Sequence, residues 1–142
     1  MKACLLALTL GLAAFSVHAE IAQKFGPLEI HYNAISTDEL LPEVARAYKI
    51  ERSKTRGLVT LSVLKKNAVG GLTPMPAKVS IYATNPSRQL ATIAMREVRE
   101  GTAIYYLGEF RMALPDTLKF TASVEVAGEP KREISFDQKF YK

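Results

Sequence analysis

Leu118-Lys119-Phe120-Thr121-Ala122-Ser123-Val124-Glu125-Val126 alternates apolar and polar side chains without a break. Successive side chains of an extended chain point to opposite sides, so such a run buries one face and wets the other. The same period recurs along the sequence. Leu28, Ile30 and Tyr32 alternate with Glu29, His31 and Asn33, and Val59, Leu61 and Val63 sit inside a richer apolar run from Leu58 to Leu64. Val79, Ile81 and Ala83 follow, then Ala91, Ile93 and Met95 less cleanly, before Arg96 and Glu97. Ile104, Tyr106, Phe110 and Met112 share one side of a strand whose other side holds Glu109 and Arg111, and Ile134, Phe136 and Phe140 close the series.

Turn residues separate these runs: Gly70-Gly71, Pro74 and Pro76, Asn85-Pro86-Ser87, Glu100-Gly101, Pro115-Asp116 and Gly128-Glu129-Pro130. Glycine supplies a positive φ, and proline fixes φ and removes a donor, so strands stop there. About seven strands with close turns predict an all-β domain, an immunoglobulin-like antiparallel β-sandwich, with an open barrel as the alternative. The last five strands read as a meander. One segment departs from period two. Ser36-Thr37-Asp38-Glu39 is turn chemistry, Pro42 suits a first helical position, and Val44, Ala45 and Tyr48 make a short apolar stripe. This predicts about two turns of helix after the first strand, crossing one end of the sandwich as a lid.

The amino terminus reads as a secretory leader. Met1-Lys2 precedes an apolar run from Ala3 to Phe15, too short to cross a bilayer, and Ser16-Val17-His18-Ala19 gives a small-residue exit. Cleavage after Ala19 divides the chain into a leader, 1–19, and one domain, 20–142. Cys4 precedes the apolar run, so it is not a lipoprotein cysteine, and it leaves with the leader. The mature chain then has no cysteine, hence no disulfide, thiol nucleophile or thiolate ligand. Loss of Lys2 takes the formal charge from +5 to +4. The expected product is periplasmic, with no transmembrane segment and no nucleic-acid partner, since no aromatic-studded basic patch is present.

Leu28-Glu29-Ile30-His31-Tyr32-Asn33-Ala34, then Leu41-Pro42-Glu43-Val44-Ala45, then Tyr48-Lys49-Ile50-Glu51-Arg52-Ser53-Lys54, followed by Leu61-Ser62-Val63-Leu64, resemble a small exported bacterial family. That family is known as domain of unknown function four-four-two-six. The resemblance spans essentially the whole mature chain. It implies an exported β-rich domain and carries no assigned activity.

Candidate chemistry is sparse. His31, the one histidine left after cleavage, falls by alternation on an outer face beside Glu29 and Asn33. It is either a solvated residue or part of a polar recognition strip. With one histidine and no cysteine, a serine-based or carboxylate-based site is what remains, the serines and threonines sit in strand-alternating or turn positions, and the chain is expected not to be an enzyme. Cu(I) chemistry would draw on His31, Met75, Met95 and Met112. Met95 and Met112 fall on apolar faces, leaving His31 and exposed-looking Met75 as a metal-accessory alternative, although no closely spaced pair marks a metal site. The densest charge feature is Arg46, Lys49, Arg52, Lys54 and Arg56, continued by Lys65-Lys66. It reads either as a solvated face or as a docking patch for an envelope protein or anionic surface. The loop from Asn67 to Pro76 carries Val69, Leu72 and Met75. The sequence therefore predicts a non-enzymatic binding or assembly-accessory module without cofactor, contacting its partner through Arg52, Lys54, Arg56, Leu72 and Met75, with His31 as a further candidate. An unrecognised enzyme is the remaining alternative.

Overall fold

The computed structural model describes residues 21–141; the expected leader lies outside them. The alternating runs form two antiparallel sheets packed face to face, the immunoglobulin-like sandwich that the sequence predicts. Ten strands are present among the described residues: β1 (Ile21–Phe25), β2 (Leu28–Ser36), β3 (Arg56–Lys66), β4 (Leu72–Pro74), β5 (Lys78–Thr84), β6 (Leu90–Ile93), β7 (Met95–Glu100), β8 (Ala103–Arg111), β9 (Asp116–Glu125) and β10 (Arg132–Phe140). The first sheet runs β1-β2-β3-β8-β7, with β4 also on β3, and the second runs β10-β9-β5-β6. It is not a closed barrel.

Three features refine the sequence reading. β1 folds back on β2 through Gly26-Pro27, a short pairing that period-two counting does not reveal. The run from 90 to 100 is two strands, because the chain changes sheets at Ala94: β6 pairs with β5, and β7 pairs with β8. The last five expected strands therefore do not form a meander. Successive hairpins alternate between the sheets, and β9 returns to pair with β5. Gly108 permits the crossing, since a Cβ there would fall 2.4 Å from Met95 Sδ and 2.5 Å from Ile93 Cγ2.

Between the sheets lies a core built on Leu28, Ile30, Val59, Leu61, Val63, Ile81, Phe120, Val124 and Ile134. Aromatic rings cross it in contact: Tyr32 on Phe136 at 4.4 Å, Phe136 on Phe120 at 5.0 Å, Phe120 against Phe110 at 5.1 Å, and Phe110 against Phe140 at 5.7 Å between centroids. Such pairs add about 0.5–1.5 kcal/mol each beyond area burial.

A second cluster lies on the opposite side of the first sheet. Leu58 and Leu107 point outward there and are covered by Leu40, Ala45 and Ile50. The covering element is a single 3-10 turn (Thr37–Glu39) followed by α1 (Pro42–Ala47). The helix is thus a lid, but over the outer face of β3 and β8 rather than over one end of the sandwich. Leu58 and Leu107 interrupt the polar side of their strands because this helix sits on them. At the helix end, Ile50 N–H bonds Ala45 O at 2.8 Å, and Lys49 takes φ 57° to allow that closure.

Gly57 faces Phe110 across the β3–β8 pair. A Cβ on Gly57 would fall 2.1 Å from Phe110 Cζ. Gly57→Ala therefore forces the ring out of the aromatic column, an overpacking cost of about 1–3 kcal/mol. A melting temperature lowered by at least about 4 °C is expected in thermal denaturation; an unchanged melt would contradict this packing.

Candidate functional site

The change of sheets at Ala94 leaves a gap. β7 begins at Met95, opposite Gly108, so residues 109–111 of β8 have β3 on one side and no strand on the other. β6 is likewise paired on one side only, by β5. Between these two open edges lies a cleft of about 670 Å³. Ile93, Phe110, Met112 and Leu118 supply its apolar floor, and Arg56, Glu109, Arg111 and Asp116 its charged rim. Asn85 and Gln89, bonded to each other at 2.8 Å, close the β5–β6 turn at its margin.

Arg56 is the predicted contact that reaches this cleft. Its guanidinium stands 3.4 Å from Glu51 and 3.8 Å from Glu109. Its Nε is buried and has no acceptor. A buried donor without a partner costs about 1–3 kcal/mol, which a ligand carbonyl or carboxylate would offset. The cleft itself had no sequence signal: it arises from where β6 and β7 part, and Arg111 and Asp116 read as ordinary outer-face and turn residues.

The other predicted contacts are dispersed. Arg52 donates from Nε to Leu40 O at 2.7 Å and from its terminal nitrogen to Asp38 O at 2.9 Å, so it clamps the chain entering α1. Thr37, fully buried, completes that clamp by accepting Ser53 N–H at 2.8 Å and donating to Ser53 O at 3.1 Å. Lys54 is exposed in the same segment. Lys65 pairs with Glu129 at 3.1 Å. Arg56 and Lys66 stand at opposite ends of the 11-residue β3, about 33 Å apart. The seven cations therefore form no continuous patch. Leu72 is exposed on β4, at the far end of β3 from Arg56. Met75 is not an exposed loop tip: its N–H bonds Val63 O at 2.8 Å, and its side chain packs on the core.

His31 lies on the outer face of β2, with Nε2 2.9 Å from Glu29 Oε1. Met75 packs toward the core face of the same sheet, so these two side chains cannot close on one ion. Met95 and Met112 also pack with the core. Among the described residues, no group of three or more His, Cys, Asp or Glu is placed to hold a metal, and no helix is long and apolar enough to cross a membrane.

The model of DUF4426, a domain of unknown function, matches residues 22–142. Among solved structures, a DUF4426 family protein from Pseudomonas aeruginosa PAO1 is 34% identical, with a TM-score of 0.72, covering 86% of this chain and 94% of that one. FetP from a uropathogenic Escherichia coli strain, recombinantly expressed in the periplasm of E. coli BL21(DE3), has a TM-score of 0.61 at 11% identity, over 86% of this chain and 93% of that one. A copper-bound variant of FetP has a TM-score of 0.59 at 12% identity, over 86% and 95%. At those identities FetP shares the fold. No curated protein matches the chain.

Tyr48 packs on the outer cluster and donates its hydroxyl to Glu100 Oε1. Burial, and then the Glu100 carboxylate, push its phenol up to about 12. Tyr106, whose hydroxyl accepts Ala77 N–H at 2.7 Å, is also raised, chiefly by burial. A phenol held protonated by the fold adds stability that is complete below its unfolded value near 10 and is lost as pH climbs toward 12. The melting temperature should fall across that interval, less steeply in Tyr48→Phe; parallel falls would show that Tyr48 is not seated this way.

Proposed function

The chain belongs to the DUF4426 family, and from that premise we propose that it is a non-enzymatic binding module of the periplasm, an assembly accessory that docks a partner through the cleft around Arg56. The observation that carries this reading is the cleft itself: an apolar floor between two open strand edges, with the buried Arg56 Nε at its margin. The side chains around it suit recognition rather than turnover. Its lining holds no Cys, and no His to activate the Thr92 hydroxyl. Glu109 is already engaged by Arg56. The leader-like residues 1–19 supply the address.

A partner for this site presents an apolar group for Phe110, Met112 and Leu118 and a carbonyl or carboxylate for Arg56. Most of the specificity rests on that single charged anchor, as it does where a few residues dominate an interface. The rim sets Arg56 and Arg111 beside Glu109 and Asp116, so a partner of complementary charge is favoured and its association weakens with salt.

The test is a crosslinking pull-down with the tagged mature protein from its own periplasm. Ala91→Arg with Thr92→Arg fills the cleft from exposed positions; Leu72→Ser alters the opposite end. The cleft variant should lose at least about tenfold of a salt-sensitive partner, while Leu72→Ser retains it. Retention of every partner by the cleft variant would remove this site from consideration, and loss in Leu72→Ser alone would move it to β4.

A further inference from the structure

The two sheets do not end together on the flank away from Ala94. Tyr32 of β2 stacks on Phe136 of β10 at 4.4 Å, so the outermost strand of the second sheet lies against β2. β1 stands one strand farther out in the first sheet. Its residues Ile21, Gln23 and Phe25 pair with Tyr32, Ile30 and Leu28 and share their core-facing side. No strand of the described residues occupies the place that would face them in the second sheet. Ile21 is accordingly 54% exposed although it faces inward, and Phe25 is half-buried. β10 offers nine residues of backbone paired on one side only. At the lower end of the gap the Arg132 guanidinium lies 5.4 Å from the Phe25 ring centroid. Its Nε is buried without an acceptor.

From this we infer that the gap is a strand-accepting slot: an extended segment of another polypeptide adds to β10 beneath β1. Backbone pairing along an open edge provides affinity and alternate side chains provide specificity. Inward residues of the incoming strand are apolar, to cover Ile21 and Phe25, and a carbonyl near its end meets Arg132 Nε. Outward residues face Glu133, Ser135, Asp137 and Lys139, all exposed. Basic residues opposite Glu133 and Asp137 complement them, since directly opposed charges of opposite sign stabilise a pairing. A second copy of this chain cannot enter through its own β10. Its β10 carries β2 stacked on it, and that β2 would occupy the place β1 already holds.

The probe is the peptide Val-Glu-Val-Lys-Val-Thr-Ile-Lys-Val, as long as the nine-residue β10 and opposed to it antiparallel. Its lysines face Asp137 and Glu133. Amide NMR titration of the mature protein should show saturable shifts confined to β10 and β1, with a Kd below about 1 mM. The same peptide N-methylated on alternate residues along its bonding edge should bind at least about tenfold more weakly, because it cannot complete the ladder. Asp137→Lys should weaken the probe several-fold, and replacing the facing lysine of the peptide with glutamate should restore it. No shift at β10, or equal binding by the N-methylated peptide, overturns the slot. Shifts confined to the cleft lined by Arg56 overturn it too, while leaving the cleft proposal standing.

Discussion

β3 must be buried on both faces, and the rest of the molecule is arranged to meet that demand. Val59, Leu61 and Val63 face the second sheet, while Leu58 faces away from it. An outward leucine beside an outward Leu107 cannot be left to water without a cover, since each would forfeit roughly 1.5–3 kcal/mol of burial. The residues between β2 and β3 supply the cover by folding back as α1, and their route is fixed by the Thr37–Ser53 exchange and the Arg52 clamp. The inner face recruits the second sheet through the aromatic column that begins at Tyr32.

Three cations of the basic run are used by the fold itself. Arg52 holds carbonyls, Arg56 sits between two carboxylates, and Lys65 reaches Glu129. These cations are spread along the helix cover and the two ends of β3. Arg56 also carries a buried Nε without an acceptor, and Lys54 stays exposed.

Much of the architecture was legible in the sequence. Period two located β2, β3, β5, β8, β9 and β10, because each buries one face and the pattern is a direct record of that burial. Pro42 with the Val44–Ala45–Tyr48 stripe located α1, although not the surface it covers, which depends on Leu58 and Leu107 lying far apart in sequence. The sheet change at Ala94 was hidden because β6 and β7 run on with a single residue between them, and only pairing distinguishes two short strands from one. Met75 looked exposed between two prolines, yet backbone pairing to Val63 turns it inward. The cleft and the open flank are products of strand order, which local pattern does not encode.

The one-residue crossing at Ala94 has a mechanical meaning. It ties the edges of the two sheets together on one flank as the spine ties the covers of a book, and Gly108 keeps the spine tight. On the opposite flank, among the described residues, no link that short joins β1 or β2 to β10; the ring stack of Tyr32 on Phe136 and Arg132 over Phe25 hold the covers together. The two flanks are therefore joined differently, by a single residue of chain at Ala94 and by side-chain packing at Tyr32 and Phe136.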